Sequence, residues 1–221
     1  MTGRGGRGRG DGVRFSRDEL GDLAVAWVVL GVAFAIFFLG GGAGLVRTLD
    51  RGIGALAGAV GVSLVTAGVA FLCHELGHKV VAVRFGQVAR FRADYGMLFL
   101  AVMSALVGFL FAAPGAVHHR GRLTARENGL VALAGPAVNV ALALAFAPLA
   151  LLGAGSGIAL LELVGARGLA INLFLAAFNL VPYGPLDGRT VLSWSKVVWA
   201  LSFLPVAAVT VFVVFVLDVG F

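Results

Sequence analysis

Six stretches free of Asp, Glu, Lys and Arg limit the fold of this chain more than any other feature. They cover residues 23–46, 52–74, 95–117, 128–161, 168–186 and 197–217. A helix needs about 20 apolar residues to cross the hydrocarbon core of a bilayer. Of the 221 residues, 60% are hydrophobic and 13% are charged, whereas soluble domains contain about 45–50% apolar and about 25% charged residues. The chain is therefore predicted to be a multi-pass membrane protein, and a soluble globular chain or a disordered chain is excluded.

The windows predict an all-α polytopic membrane protein with about five to six transmembrane helices. The window at residues 128–161 is interrupted by a proline and three closely spaced glycines. We therefore predict one span that ends near Leu152, followed by a turn. The next span would contain Glu162 and Arg167 near one end and run to about Val181.

The chain is predicted to have two parts. Residues 1–22 form a flexible, Arg/Gly-rich cytoplasmic tail, and residues 23–221 form a single membrane-embedded domain. An apolar run followed by small residues also allows a cleaved signal peptide. The leading region contains four acidic residues, and the uncharged run from 23 to 46 is longer than a usual signal core, so a retained first span is favoured.

The run His74-Glu75-Leu76-Gly77-His78 matches the H-E-x-x-H pattern and carries the chemistry of the chain. Residues four apart lie on one face of a helix, so both imidazoles can reach one zinc ion. Glu75 then stands beside the metal, where it can accept a proton from zinc-bound water. The motif falls at the end of the second apolar window, and ionisable residues at membrane depth are functional candidates.

Two histidines leave a zinc site one protein ligand short, because catalytic zinc usually has three. The single cysteine, Cys73, excludes a multi-Cys site. Asp187 is the strongest remaining candidate, since it follows an apolar window in a segment with two prolines and two glycines. Irregular backbone at membrane depth is tolerated where it lines a cavity. The alternative for Asp187 is a capping residue in an Asp-Gly turn at the membrane surface.

The segment at residues 95–117 is predicted to re-enter the membrane rather than cross it. If it crossed, the basic segments 79–92 and 120–126 would lie on opposite faces, and Asp187 would emerge on the face opposite His78. A helix over residues 97–110 rises only ~21 Å, and an extended return over 111–118 covers ~26 Å. The basic segments then share one face with the zinc site, which we assign to the cytoplasmic side. His118 and His119 could be metal ligands, but their position beside Arg120 favours a polar turn.

Three blocks in the chain resemble the site-2 protease family of intramembrane zinc metalloproteases. His74 to His78 match its zinc-binding helix. The run Gly135-Pro136-Ala137-Val138-Asn139 resembles its Gly-Pro-x-x-Asn helix, and Asn179 through Asp187-Gly188 resembles its Asn-Pro-x-Pro-x-x-Asp-Gly segment. The blocks extend over about half the chain. The first proline of the third block is absent here, because Leu180 stands in its place.

The resemblance implies one zinc ion held by His74, His78 and Asp187, with Glu75 as the catalytic base. It also implies that Asn139 and Asn179 bind the substrate backbone or steady the site; an interhelical hydrogen bond is the alternative for both. The expected activity is zinc-dependent endoproteolysis of transmembrane-helix substrates, with zinc-bound water as the nucleophile. The expected partners are a transmembrane protein substrate and the lipid bilayer, and no nucleic acid is expected.

Two other functions compete with proteolysis. A non-catalytic zinc-binding membrane protein that binds client membrane proteins would keep the ligands but would not need Glu75 as a base. An ion transporter would place several ionisable groups along a pathway, and outside the zinc motif the apolar segments contain few such groups.

Overall fold

The computed structural model describes residues 12–111 and 114–220 of the chain. The first half contains α1 (Arg17–Phe38), α2 (Gly41–Asp50), α3 (Ile53–Ser63), α4 (Val69–Arg84), β1 (Val88–Ala93) and α5 (Tyr95–Leu106). The second half contains β2 (Gly115–Arg120), α6 (Ala125–Ser156), α7 (Ala159–Asn179), α8 (Asp187–Trp194) and α9 (Lys196–Thr210). Two π-helical turns, Leu64–Gly68 and Val211–Val216, continue α3 into α4 and extend α9.

Within the described residues, five helices are long and apolar enough to span a membrane. They are Arg17–Phe38, Ile53–Arg84, Ala125–Ser156, Ala159–Asn179 and Lys196–Val216. They coincide with five of the six apolar windows and confirm the prediction of an all-α, multi-pass membrane protein. The split of the fourth window is also confirmed. Helix α6 ends at Ser156, four residues beyond the predicted end, because Gly157 adopts the left-handed conformation that terminates it (φ +71°).

The second span is one 32-residue helix in which the π turn separates α3 from α4. A π turn disturbs the regular hydrogen-bond ladder. Here the indole Nε1 of Trp27 on α1 donates to the Leu64 carbonyl oxygen at 3.0 Å. The helix continues to Arg84, so the H-E-x-x-H motif lies within the helix and not at its end.

The segment between β1 and α6 returns to β1, so that its two ends lie side by side. Strand β2 pairs antiparallel with β1, and the Asp94 amide donates to the Pro114 carbonyl oxygen at 2.9 Å. Helix α5 between them has 12 residues and rises only about 18 Å, which is too short to cross. The short helix and the strand that the re-entrant prediction requires are thus present, and insertion of this element into the membrane stays a prediction. Its helix ends at Leu106 rather than at 110 because Gly108 takes a positive φ of 89°.

The N-terminal segment packs against the helix that carries the zinc motif. Lys79 Nζ contacts Glu19 Oε1 at 2.5 Å and the Arg14 carbonyl oxygen at 2.7 Å. Glu19 Oε1 also accepts the Phe91 amide of β1 at 3.0 Å. Of the predicted tail 1–22, residues 1–11 lie outside the described residues, and residues 17–22 form the first turns of α1, which Ser16 caps. An acid of the tail and a base of the motif helix therefore form one buried ion pair.

Replacing Lys79 with Met is expected to lower the free energy of unfolding by roughly 3 kcal/mol, because the buried Glu19 carboxylate loses its cation. Both side chains of the pair are at most 2% exposed. Thermal unfolding of the detergent-solubilised protein measures the effect. Arg84→Met is the matched control, because Arg84 is an exposed base on the same helix, and its loss should cost less than about 0.5 kcal/mol. Equal effects of the two substitutions would contradict the assigned importance of the pair.

Candidate metal centre

The two histidines of α4 meet the carboxylate of Asp187 at one point. His74 and His78 are both buried and lie one helical turn apart, with their Nε2 atoms 3.0 Å from each other. Asp187 is the first residue of α8, and its Oδ2 lies 3.3 Å from His74 Nε2 and 3.4 Å from His78 Nε2. The structure thus brings together the three predicted ligands, although Asp187 lies more than 100 residues after the two histidines in sequence.

The other ring nitrogens of both histidines are already occupied. His74 Nδ1 lies 2.6 Å from Asn139 Oδ1, and His78 Nδ1 lies 2.8 Å from the Val131 carbonyl oxygen. An oxygen acceptor at Nδ1 places the proton there and leaves the Nε2 lone pair free for a metal. Asp187 Oδ2 is buried without a hydrogen-bond partner among the described residues. Three electron-pair donors therefore face one another, and a cation between them satisfies all three.

The spacing and chemistry of these donors fit zinc. Ligands at ~2.0–2.1 Å from a tetrahedral ion lie about 3.3 Å from one another, and the three separations here are 3.0, 3.3 and 3.4 Å. Magnesium and calcium prefer oxygen ligands throughout, whereas zinc accepts imidazole nitrogen and carboxylate oxygen together. Three protein ligands leave the fourth position of a tetrahedral zinc site open.

Asn139 lies behind His74 and is fully buried. Its amide nitrogen donates to the Ala70 carbonyl oxygen at 3.1 Å and to Asn172 Oδ1 at 2.9 Å, while its oxygen faces His74. Both N–H donors and the oxygen of the Asn139 amide are therefore bonded to protein groups. This geometry favours a role in orienting His74 over contact with a substrate. Asn172, which sequence reasoning missed, in turn donates to the Gly168 carbonyl oxygen at 2.8 Å. Its one signal is an uncharged amide inside an apolar window.

Gly135 lets α6 approach the histidine rings. A Cβ atom at this position would lie 2.5 Å from His78 Nε2 and 2.6 Å from His74 Cε1. Carbon atoms do not approach ring atoms so closely, so any side chain here displaces the ligands. The glycine of the second block is thus a consequence of helix packing at the metal centre.

A cavity of about 390 Å³ opens beside the three ligands. The Glu75 carboxylate reaches it and lies beside the backbone of Val117 on β2. Asn179, the last residue of α7, also lines it, and its amide nitrogen donates to the Leu175 carbonyl oxygen at 3.0 Å. The cavity therefore combines the metal ligands, a carboxylate, and the backbone of a strand.

The two remaining histidines lie on strand β2, so the expected polar turn at this place is wrong. Pairing with β1 continues to Arg120 and keeps residues 115–120 extended. Successive side chains of a strand point to opposite faces. His119 lines the cavity, whereas His118 is exposed on the other face. Among the described residues, neither belongs to a cluster of three or more metal-binding side chains.

Substituting Asn139 with Leu is expected to weaken zinc binding about 10- to 100-fold, the usual effect of losing the partner that orients a ligating histidine. Competition with a chromogenic chelator measures the affinity. Asn179→Leu is the control of matched size, because the Asn179 amide donates to a backbone carbonyl and not to a ligand. Equal affinities of wild type and Asn139→Leu would show that the hydrogen bond to His74 does not support the metal.

Comparison with known proteins finds relatives with a shared designation. The chain is 40% identical over 204 residues to "Putative zinc metalloprotease MJ0611" of Methanocaldococcus jannaschii, covering 91% of this chain and 97% of that protein. Proteins with the same designation, sll0528 of Synechocystis and Rip3 of Mycobacterium tuberculosis, are 32% and 35% identical over 149 and 134 residues. The chain spans about a third of the length of these two, covering 33% and 30%. No protein-family model and no solved structure matches the chain at a significant level.

The first of these similarities covers nearly the whole of both chains. The chain is a multi-pass membrane protein with a site suited to zinc, and it belongs to the zinc metalloprotease family that includes the Methanocaldococcus protein.

Proposed function

We propose that the protein is an intramembrane endopeptidase of the site-2 protease type, which hydrolyses peptide bonds of transmembrane segments. The observation that carries the proposal is the position of the metal centre inside a spanning helix. His78 is six residues before the Arg84 end of the 32-residue helix, about 9 Å along its axis. Its third ligand, Asp187, is the first residue of the helix that follows another span. This burial among spans supports hydrolysis below the membrane surface.

His74, His78 and Asp187 would hold the zinc ion, and Asn139 would keep the His74 ring in its ligating orientation. Zinc, when bound, supplies Lewis acidity that lowers the pKa of water toward ~7 and polarises a carbonyl group. The Glu75 carboxylate, next to His74 in sequence and open to the cavity, accepts the proton of the attacking water. It then donates that proton to the nitrogen of the departing amine, so that Glu75 is unchanged after each turnover.

The substrate is proposed to bind as an extended strand beside β2. Peptide bonds within a helix are shielded by their own hydrogen bonds, so a transmembrane substrate unwinds before cleavage. Residues 114–117 line the cavity, and β2 has β1 as its one strand partner in the described sheet. An extended segment can add to such a strand by main-chain hydrogen bonds. Asn179, which also lines the cavity, is the side chain proposed to bind the substrate backbone.

The zinc site is proposed to face the cytoplasmic side. The pairing of β1 with β2 supports this orientation, because it brings Arg90, Arg92 and Arg120 to the end of the molecule at which Arg84 also lies. Cytoplasmic ends of membrane proteins carry an excess of Lys and Arg.

A cleavage assay in proteoliposomes tests the proposed function. The full chain is co-reconstituted with a single-span substrate whose only unstructured residues lie outside the bilayer, and the products are identified by mass spectrometry. We expect a cut inside the apolar segment, and no product with Glu75→Gln. Cuts confined to the extramembrane residues would contradict the intramembrane assignment and would leave the zinc metalloprotease assignment standing.

A further inference from the structure

The outer face of the β1–β2 hairpin carries a row of basic side chains that the proposed mechanism does not use. Antiparallel pairing sets Arg90 opposite His118 and Val88 opposite Arg120, and side chains that face each other across two strands share one side of the sheet. The alternate residues point inward, where Ala89 and Phe91 are buried. The hairpin therefore has an apolar inner face and a cationic outer face.

The cationic face forms a groove of about 520 Å³. Its lining residues in the described part of the chain include no acid: Val88, Arg90, Arg92, His118 and Arg120 of the outer face, together with His119, which also lines the cavity. Arg92 and Arg120 are exposed and have no carboxylate within ion-pair distance among the described residues. Arg90 contacts the exposed Asp18 through one terminal nitrogen at 3.2 Å, while its Nε is buried without a hydrogen-bond partner there. The groove thus offers guanidinium donors that protein groups leave unused.

The groove borders a surface of exposed apolar side chains. Asp94 follows β1 directly, and helix α5 begins at the next residue. This helix exposes large apolar side chains along its length: Tyr95, Phe99, Leu100 and Met103, which are 37–65% exposed. In a multi-pass membrane protein, exposed apolar side chains on a membrane-depth helix contact acyl chains. The arginines one strand away then lie at the depth of the phospholipid headgroups.

We propose that the outer face of the hairpin binds the headgroup phosphate of an anionic phospholipid. Arginine presents parallel N–H donors that match two oxygens of a phosphate, and its charge is permanent. An acyl chain of the same lipid lies along the apolar side of α5. The neighbouring lipid-contacting surface is the reason to favour a phospholipid over a soluble anion or a nucleic acid, which would use the basic row alone.

Native mass spectrometry of the detergent-solubilised full chain tests the site. The protein is titrated with phosphatidylglycerol or phosphatidylcholine, and the variants are Arg92→Gln/Arg120→Gln and, as a control of equal charge change, Arg47→Gln/Arg51→Gln. The control arginines are exposed and lie around the end of α2. We expect retention of phosphatidylglycerol over phosphatidylcholine, weakened on the order of tenfold by the hairpin substitutions, since each basic residue near an anionic surface contributes measurably. The control variant should bind as wild type does, and all variants should keep their unfolding temperature.

Three outcomes would overturn the proposal. Equal weakening by both double substitutions would indicate attraction by net charge without a site. If millimolar inorganic phosphate displaced the bound lipid as effectively as soluble glycerophosphoglycerol does, the groove would be a site for free anions. Tighter binding of a single-stranded oligonucleotide, lost with Arg92→Gln/Arg120→Gln, would indicate a nucleic-acid surface.

Discussion

Replacing Glu75 with Gln is expected to abolish peptide hydrolysis and to leave the zinc content unchanged. The amide keeps the size of the side chain but cannot accept the proton of the attacking water. Loss of a positioned general base costs about 10²–10⁴-fold in rate, and here the same group also returns the proton to the amine, so we expect a loss of at least ~10³-fold. Glu75 is 7% exposed and lies in the cavity beside the three ligands.

The measurement pairs the cleavage rate with zinc per chain in the same preparations. Glu162→Gln is the matched control, because it removes an exposed carboxylate near the start of α7 and should leave both quantities unchanged. Activity of Glu75→Gln near the wild-type level would exclude Glu75 as the base. A zinc-loaded wild type that cleaves no membrane substrate, and binds such a substrate equally well with Gln at position 75, would favour the non-catalytic client-binding alternative.

Substituting Gly135 with Ala is expected to remove the metal centre, although alanine usually stabilises a helix. The intrinsic preference alone predicts a gain of about 1 kcal/mol for Gly→Ala inside a helix. Against this, the new methyl group would lie 2.5 Å from His78 Nε2 and 2.6 Å from His74 Cε1. Neither ring can turn away freely, because the Nδ1 atoms of both rings are bonded to groups on α6 itself. We therefore expect zinc per chain to fall below about a tenth of wild type, with cleavage lost in parallel.

Gly155→Ala provides a control within the same helix, because a Cβ atom there meets no atom within 4 Å. This variant should keep its zinc and its activity and should unfold at the wild-type temperature or slightly above it. Zinc determination and thermal unfolding are measured on both variants. If Gly135→Ala kept full zinc, the close approach of α6 to the two rings would be relieved at no cost, and the packing argument would fail.

The sequence predicts the spans well because the bilayer imposes one rule along the whole chain. Uncharged windows of the required length coincide with all five spanning helices. The 95–117 window is as long and as uncharged as these, and only the placement of the basic segments on either side of it predicted that it returns to its starting face, as the pairing of β1 with β2 requires. His74 and His78 were predictable because their ligand spacing is local to one helix. Asp187 required the irregular, proline-rich backbone before it and the resemblance to a known family.

Features that depend on contacts between distant segments were not predictable. In the sequence Glu19 resembles a solvated acid of a charged tail, and nothing in the sequence indicates that it pairs with Lys79, 60 positions later. Asn172 is an isolated amide until Asn139 donates to it. His118 and His119 were assigned to a turn because they lie beside Arg120. A short strand is weakly specified by its own sequence, and here β2 pairs with β1.

Zinc content of the detergent-purified wild type and of Asp187→Ala tests the three-ligand metal centre most directly, because Asp187 is the proposed ligand that comes from outside the motif helix. Asp50→Ala serves as the control, since Asp50 is exposed at the end of α2. We predict about one zinc ion per chain in wild type and in Asp50→Ala, as three protein ligands around one ion require, and a sharp reduction in Asp187→Ala. Unchanged zinc in Asp187→Ala, or a wild type that takes up no zinc when it is supplied, would contradict the proposed centre.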